Sequence, residues 1–305
     1  MATNDNLIVT AGFNYSPEQL RPFLKSASRH IPNADVVIFS DNNDSRYMES
    51  IIRLHARARI VVPEGYKFKD YLWKHKKLRK FVKSIGLDKL RKYLPSPTRQ
   101  QISRIHRSSF LHIQLARYSW AHSFLGELDP KPKMVLLADS RDVYFQGDPF
   151  EDNQQSILCG EEPMTIGSCP INSNWIETSY RKKVLQEIKD CPVLCSGVTL
   201  GNYADVYVYA DAMVSDIENN ALKLVGKQGS DQGIHNKILH LNKDITYSTS
   251  RNGDELIATL HSSDLREFNF REAQGLLTKD GRPVKIVHQY DRHEKLREWV
   301  RETYG

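Results

Sequence analysis

Residues 134–150 read Met-Val-Leu-Leu-Ala-Asp-Ser-Arg-Asp-Val-Tyr-Phe-Gln-Gly-Asp-Pro-Phe. An apolar run of strand length ends here in two carboxylates, Asp139 and Asp142, and a second short apolar run and an Asp-Pro turn follow. Carboxylates at the end of a buried strand are costly unless a cation pairs with them. In open α/β sheets this edge binds ligands, and clustered acidic oxygens suit Mg²⁺ or Mn²⁺ holding a diphosphate. The stretch therefore predicts chemistry on a nucleotide-linked substrate.

The composition is that of a globular protein. The chain has 305 residues, of which 40% are hydrophobic, and we predict a single domain over residues 1–305. No apolar run reaches about 18 residues, so no transmembrane helix is expected. The polar residues 1–6 do not read as a signal peptide. The four cysteines have neither Cys-x-x-Cys spacing nor histidines at zinc spacing, which favours reduced thiols in a cytoplasmic protein.

The charge is unevenly distributed along the chain. Residues 67–107 contain 14 Lys or Arg and two Asp, a local charge of +12, whereas the whole chain carries +6. Apolar residues recur there at roughly helical spacing, so we predict a basic helical insertion over 66–103. It could lie peripherally on an anionic membrane, bind an acidic glycan or form a solvated lid. A nucleic-acid-binding protein is the alternative from another class, although the segment has no recognisable RNA-binding or helix-turn-helix signature.

The order of elements predicts an α/β fold. Buried strands are expected at 6–11, 34–39 and 59–62. Ser16 reads as the N-cap of a helix that ends near residue 28, with Pro17 at its first position and Gln19 completing a capping box. Further helices are expected at about 102–125, 180–188, 205–218, 231–240 and 292–302, and further strands at 156–159 and 285–288, while 193–200 is an apolar stretch that contains a glycine. Such alternation favours a mainly parallel sheet with helices on both faces.

Four motifs stand in order along the chain, at residues 135–142 (VLLADSRD), 195–200 (CSGVTL), 230–236 (SDQGIHN) and 287–290 (VHQY). Together they resemble the GT-A-fold glycosyltransferases, above all the retaining group that includes glycogenin and the bacterial lipopolysaccharide galactosyltransferases. There the first motif ends a strand in Asp-x-Asp, the second lines the donor sugar, the third opens a helix and the fourth supplies a histidine. The resemblance implies a GT-A, Rossmann-like mixed sheet and sugar transfer from a nucleotide-diphosphate sugar, with UDP-sugar as the favoured donor.

One departure from that pattern bears on the metal site. Two residues separate Asp139 from Asp142 where the family has one, and Arg141 occupies the usual second acidic position. The resemblance implies that Asp142 and His288 ligate the ion, and that Asp139 contacts it through water or binds ribose instead. The histidine favours Mn²⁺ over Mg²⁺. The structural alternatives are a cap or an ion pair with Arg141 for Asp142, and an ordinary strand-end position for His288.

The resemblance also implies a set of donor-binding residues. These are Thr10, Ala11, Asp41, Arg117, Asp139, Ser196, Gly197 and His293. Thr10, Ala11 and Asp41 would contact the base and ribose, Arg117 would reach the donor, and His293, with its neighbour Arg292, would hold the diphosphate. The structural alternatives are an Asx turn for Asp41, a solvated helix position for Arg117 and a charged surface helix for His293.

Asp231 and Gln232 are the implied catalytic residues, at the start of a helix beside the donor sugar. In a retaining enzyme one of these side chains would steady the oxocarbenium-like sugar, and the resemblance favours retention. In an inverting enzyme Asp231 would be the general base for the acceptor hydroxyl. A structural N-cap is the alternative role for Asp231. The acceptor is expected to be a glycan or a lipid-linked sugar.

Overall fold

The computed structural model describes residues 5–63, 111–151, 156–224 and 230–305, so the predicted insertion over 66–103 lies outside the described residues. The strands are β1 (Asn6–Ala11), β2 (Asp35–Phe39), β3 (Ala58–Val61), β4 (Met134–Ala138), β5 (Val143–Phe145), β6 (Ile157–Thr165), β7 (Pro192–Asn202), β8 (Tyr247–Ser250), β9 (Ile257–Thr259), β10 (Asn269–Arg271), β11 (Gly275–Leu277) and β12 (Ile286–His288). The helices are α1 (Pro17–His30), α2 (Ser45–Leu54), α3 (Ile113–Glu127), α4 (Pro170–Ile188), α5 (Tyr203–Leu224), α6 (Ser230–Leu241) and α7 (Glu294–Tyr304).

The central sheet has the strand order β3-β2-β1-β4-β7-β6-β8. Strands β3, β2, β1 and β4 run parallel to one another, β7 is antiparallel to both of its neighbours, and β6 and β8 are parallel. The predicted α/β architecture with a mixed, mainly parallel sheet is confirmed. Because β7 runs against β4, the beginning of β7 lies beside the carboxyl end of β4.

Both faces of the sheet are buried, which explains the continuous apolar character of its strands. Along β1, Leu7 and Val9 pack in a core with α3, α5 and α6, whereas Ile8 packs with α1 and α2 in a core on the opposite face. The alternation follows from the two-residue period of a strand. At the edge of the sheet this apolar pattern stops, and the carboxyl ends of β1 and β4 carry polar residues.

A small sheet, β5-β12-β9, brings the end of the chain to this edge. Strand β12 pairs antiparallel with β5 and parallel with β9, so that His288 stands opposite both Val143 and Thr259. Asp142 precedes Val143 by one residue, and its carbonyl accepts a 2.7 Å hydrogen bond from the Gln289 amide. The pairing therefore places His288 next to Asp142 although 146 positions separate them along the chain.

Local signals predicted the start of α1 correctly. The Ser16 side chain accepts from the Gln19 amide, the Gln19 side chain accepts from the Ser16 amide, and Pro17 is the first helical residue, so the capping box is confirmed. The helix extends to His30, two residues beyond the predicted end. In the described part of the chain, no helix has both the length and the apolar character needed to cross a membrane.

Several other boundaries differ from the predictions. Helix α2 was missed, although Asp44 caps it and Tyr47, Ile51 and Leu54 bury one face. Helix α4 begins at Pro170, ten residues before the predicted start, and Arg181 interrupts it with a φ of 71°. The last helix begins at Glu294 instead of residue 292, because the preceding residues form a 3-10 turn.

Candidate functional site

Three side chains converge at the carboxyl end of β4. His288 Nε2 lies 3.8 Å from Asp139 Oδ2 and 3.7 Å from Asp142 Oδ1, and one ligand atom from each residue lies within 4.8 Å of the others. His288 is buried and the two aspartates are partly buried. Within the described ranges this is the one group of His, Cys, Asp and Glu side chains close enough to share a metal ion.

Space for an ion exists because residue 197 is glycine. A Cβ built on Gly197 would lie 2.5 Å from His288 Nε2 and 3.1 Å from Asp139 Oδ2. Its backbone carbonyl accepts a 2.8 Å hydrogen bond from the Asp139 amide, which fixes β7 against the end of β4. Any side chain at this position would occupy the volume between the imidazole and the carboxylate.

The donor set and its dimensions fit a divalent cation. Two ligands at about 2.0–2.2 Å from one ion lie at most about 4.4 Å apart, and the measured separations of 3.7 and 3.8 Å satisfy that limit. The other ring nitrogen of the histidine is also engaged, since His288 Nδ1 lies 3.3 Å from Cys195 Sγ. A fixed second nitrogen is the usual arrangement for a metal-binding histidine.

Arg117 on α3 joins the two acidic parts of the site. Its guanidinium bonds to Asp139, donates 3.0 Å to Asp231 Oδ2 and donates 3.2 Å to the Ser196 carbonyl. The side chain is only 16% exposed, so the alternative of a solvated helix arginine is wrong. Although burial works against its charge, Asp139 and then Asp231 raise the pKa of Arg117 well above its usual value.

The acidic groups are held in an environment that disfavours their charge. Burial raises the pKa of Asp142, and the neighbouring Asp139 adds to that shift while His288 opposes it. Burial also raises the pKa of Asp231, although Arg117 lowers it. A divalent cation at Asp142 would relieve this destabilisation, because it supplies the positive charge that buried carboxylates require.

Asp231 and Gln232 lie in the first turn of α6, which faces the same site. Asp231 also accepts a 3.4 Å hydrogen bond from Ser196 Oγ. Gln232 Nε2 donates 3.0 Å to Glu162 Oε1 on β6 and 3.2 Å to Asn172 Oδ1 on α4. Asn236, one turn later, bonds to both the amide and the carbonyl of Leu194, which anchors α6 to β7.

Two adjoining cavities share this edge of the sheet. The larger is an open cleft with a volume of about 480 Å³, lined by Gln114, Asp139, Asp142, Glu162, Cys169, Ile171, Asn172, Trp175, Cys195, Ser196, Gly197, Asp231, Gln232, His261, His288, Gln289 and Arg292. The smaller has a volume of about 20 Å³ and is lined by Val9, Thr10, Ala11, Phe39, Arg117, Tyr118, Ala121, Leu137, Ala138 and Ser196. Ser196 lines both cavities, so the small pocket adjoins the cleft beside the aspartates.

Most of the predicted site residues line these cavities, but two do not. Asp41 lines neither cavity, and its carboxylate accepts a 2.9 Å hydrogen bond from the amide of Asn14, 27 residues away, a long-range contact and not the Asx turn. His293 precedes α7 and its Nε2 lies 3.2 Å from the Leu260 carbonyl, again away from both cavities. Its neighbour Arg292 does line the cleft.

The cleft also contains residues that sequence reasoning missed, including Glu162, Asn172 and Trp175. Glu162 is 3% exposed, and burial raises its pKa to about 7 despite hydrogen bonds from Gln232 and Cys195. Glu162 was missed because it follows Glu161, and two consecutive acids are not typical of a buried strand. Gln289, next to His288, has a left-handed backbone with a φ of 60°, a conformation that clusters at functional sites.

Comparison with known proteins adds no relative to this description. No protein-family model matches the chain, and a search of curated proteins finds no match either.

Replacing Gly197 with alanine should weaken metal binding, because the His288 ring must move away from the new methyl group. The new methyl group would enter the volume between His288 and Asp139, so we expect Mn²⁺ affinity to fall by at least about tenfold. The measurement is a Mn²⁺ titration followed by the EPR signal of the free ion, with circular dichroism as the test of folding. Gly126→Ala, where the nearest atom to the new methyl is Tyr207 Oη at 3.3 Å, is the control. Equal affinity in wild type and Gly197→Ala would contradict the proposed position of the ion.

Replacing Glu162 with glutamine should remove one component of the pH dependence of stability. The folded pKa of about 7 exceeds the ordinary value of 4.5, so the native state binds the proton more tightly and stability falls as pH rises between those values. Over that range the free energy of unfolding of wild type should drop by about 3 kcal/mol relative to Glu162→Gln. Urea unfolding at a series of pH values measures the difference. Glu161→Gln should keep the wild-type slope, and parallel curves for wild type and Glu162→Gln would show that Glu162 titrates normally.

Proposed function

We propose that this protein is a metal-dependent glycosyltransferase that moves a sugar from a nucleotide-diphosphate sugar, preferably a UDP-sugar, to a glycan or lipid-linked acceptor with retention of configuration. The observation that carries the proposal is the Asp139, Asp142 and His288 cluster, which Gly197 leaves open at the ligand-binding edge of the sheet. The mixed oxygen and nitrogen donor set favours Mn²⁺, with Mg²⁺ as the alternative.

The metal site and the cleft together suit a diphosphate leaving group. When bound, the ion would act as a Lewis acid that neutralises the charge of the departing diphosphate. Arg292 lines the same cleft and offers a second cation for phosphate oxygens, a contact suited to a guanidinium. We therefore assign to Arg292 alone the diphosphate contact that was predicted for Arg292 and His293 together.

The small pocket marks the side of the cleft where we place the nucleoside. It lies between β1 and α3, is walled by Phe39 and Tyr118, and has a volume of about 20 Å³, room for about one water molecule. Thr10 Oγ1 is buried there with no hydrogen-bond partner among the described residues, so it is available to a polar atom of a ligand. A base and ribose at the mouth of this pocket would lead past Ser196 to a diphosphate at the metal cluster and a sugar in the cleft.

The contacts of Asp231 favour retention over inversion. Its side chain is 6% exposed and is held by Arg117 and Ser196. A general base must reach the hydroxyl that it deprotonates and must be free to accept the proton. Arg117 occupies the carboxylate instead, which suits an electrostatic role beside the sugar and argues against the inverting alternative with Asp231 as base.

The α4 wall of the cleft suits the acceptor. Ile171 is 49% exposed and lies with Trp175 on α4, and both line the cleft. An apolar and aromatic wall of this kind can pack against a sugar ring. The competing function, nucleic-acid binding through 67–107, depends on residues outside the described part of the chain, and no observation favours it.

Donor binding should stabilise the protein only when the metal is present. A nucleotide sugar at 100 times its dissociation constant should add about 2.7 kcal/mol to the free energy of unfolding. Thermal unfolding with UDP-, GDP- and CMP-sugars, each with and without Mn²⁺, measures this effect. We expect a response to UDP-sugars that requires Mn²⁺ and is lost in Asp142→Asn.

The matched control is Glu49→Gln, which removes an acid from the surface of α2, where Glu49 is 66% exposed. It should respond to the donor like wild type. If no nucleotide sugar stabilises wild type, or if Asp142→Asn responds equally, the metal and diphosphate site is wrong. For a donor that stabilises the protein, release of the free nucleoside diphosphate measures turnover directly.

A further inference from the structure

Glu162 is a buried acid on the wall of the cleft that the proposed function does not use. Its neighbours are neutral: the Gln232 amide donates to it at 3.0 Å, and the Cys195 thiol forms a second hydrogen bond. A buried carboxyl group without a cationic partner lowers stability. Its position between two residues of the site therefore points to a role other than stability.

The first contact fixes the orientation of the Gln232 side chain. Gln232 Nε2 donates to both Glu162 Oε1 and Asn172 Oδ1. Asn172 is itself oriented, because its Nδ2 donates 3.2 Å to Cys169 Sγ and its oxygen therefore faces Gln232. Above its pKa of about 7 the Glu162 carboxylate is ionised and only accepts hydrogen bonds, so at such pH the edge of the Gln232 amide that faces it is the NH₂ group.

The opposite edge of that amide is the Gln232 oxygen, which belongs to a residue that lines the cleft with the metal cluster. The side-chain hydrogen bonds that Gln232 makes within the described residues use Nε2 and leave Oε1 available. An amide oxygen held beside a donor sugar stabilises the positive charge that develops at the anomeric carbon when the bond to the diphosphate breaks. A flipped amide would present NH₂ to the same charge and oppose it.

The second contact of Glu162, with Cys195, fixes the orientation of the proposed metal ligand His288. The Cys195 thiol forms a hydrogen bond with Glu162, and because an ionised carboxylate can only accept, the thiol is the donor. Its sulfur then accepts from His288 Nδ1, 3.3 Å away. With the ring proton on Nδ1, the lone pair of Nε2 faces the two aspartates.

We propose that Glu162 is a positioning residue that fixes two functional atoms, holding Gln232 Oε1 toward the donor sugar and, through Cys195, His288 Nε2 toward the metal. The proposal rests on the proposed glycosyl transfer and deepens it. It accounts for a buried acid that packing alone would replace with an apolar side chain.

The orientation of Gln232 can be tested without any substrate. The side-chain amide signals of ¹⁵N-labelled protein, assigned with Gln232→Leu, report whether this NH₂ group is protected from solvent exchange. We expect a protected pair in wild type and in Glu161→Gln, and exchange at least about tenfold faster in Glu162→Gln. The control acid lies next in sequence but bonds to Thr249 and pairs with Arg251. A Gln232 amide that exchanges as fast as exposed glutamines in wild type overturns the positioning role.

Kinetics test the catalytic consequence. In Glu162→Gln we expect kcat to fall about tenfold or more with the KM for the donor unchanged, and Mn²⁺ affinity in the presence of UDP to fall about tenfold. If Glu162→Gln keeps the wild-type kcat and the wild-type Mn²⁺ affinity, the proposal is overturned even when the Gln232 amide of this variant exchanges rapidly. If wild type transfers no sugar from any donor, the proposed function fails and the catalytic role of Glu162 fails with it. An active wild type with an unprotected Gln232 amide, by contrast, overturns the positioning alone.

Discussion

Arg117 lies between Asp139 and Asp231, and the arrangement of the cleft depends on this pairing. Three buried or partly buried acids, these two and Asp142, approach one edge of the sheet, and their mutual repulsion would separate them without a cation. The guanidinium spans the two aspartates and also bonds to the Ser196 carbonyl, so α3, β4, β7 and α6 are held around one point. The remaining acid, Asp142, lies 3.7 Å from His288 Nε2, and in the proposal a metal ion supplies the positive charge that it lacks.

The antiparallel strand β7 turns a common sheet edge into a specific site. It brings Gly197 beside the carboxyl end of β4, where a parallel neighbour would bring its own last residues instead. The absent side chain leaves room that His288 enters from the small β5-β12-β9 sheet. The site thus needs three distant parts of the chain, and each part is fixed by backbone pairing. Backbone pairing therefore holds the side chains of the candidate site in place before any ligand binds.

Hydrogen bonds to charged groups set the arrangement of side chains in the cleft. Cys195 and His288 lie between the buried acid Glu162 on one side and the two aspartates, Asp139 and Asp142, on the other. Above about pH 7, where Glu162 is ionised, the hydrogen bonds from His288 to the Cys195 thiol and from the thiol to Glu162 run in one direction. In the proposal, the same carboxylate also sets the direction of the Gln232 amide, so that it orders both His288 and Gln232.

The sequence predicted the features that depend on local chemistry. The apolar runs located β1, β2 and β4, and the Ser16, Pro17 and Gln19 pattern located the start of α1, because a cap involves only neighbouring residues. Glu162 escaped notice because its burial comes from contacts 33 and 70 residues away, at Cys195 and Gln232. The bond between Arg117 and Asp231 crosses 114 residues, which no local pattern encodes. The strands β8 to β11 have only three or four residues each. They are defined by pairing with other strands and are too short to show an alternation of apolar and polar residues.

The central claim is that Asp139, Asp142 and His288 hold a metal ion that binds the diphosphate of a nucleotide sugar. Crystals grown with UDP and Mn²⁺, and measured at the manganese absorption edge, test it most directly. We predict one strong anomalous peak within about 2.3 Å of Asp142 and His288 Nε2, with both phosphates of UDP against it and the uridine at the mouth of the pocket beside Thr10. Bound UDP with no peak at these residues, or a peak at another group of ligands, would contradict the account.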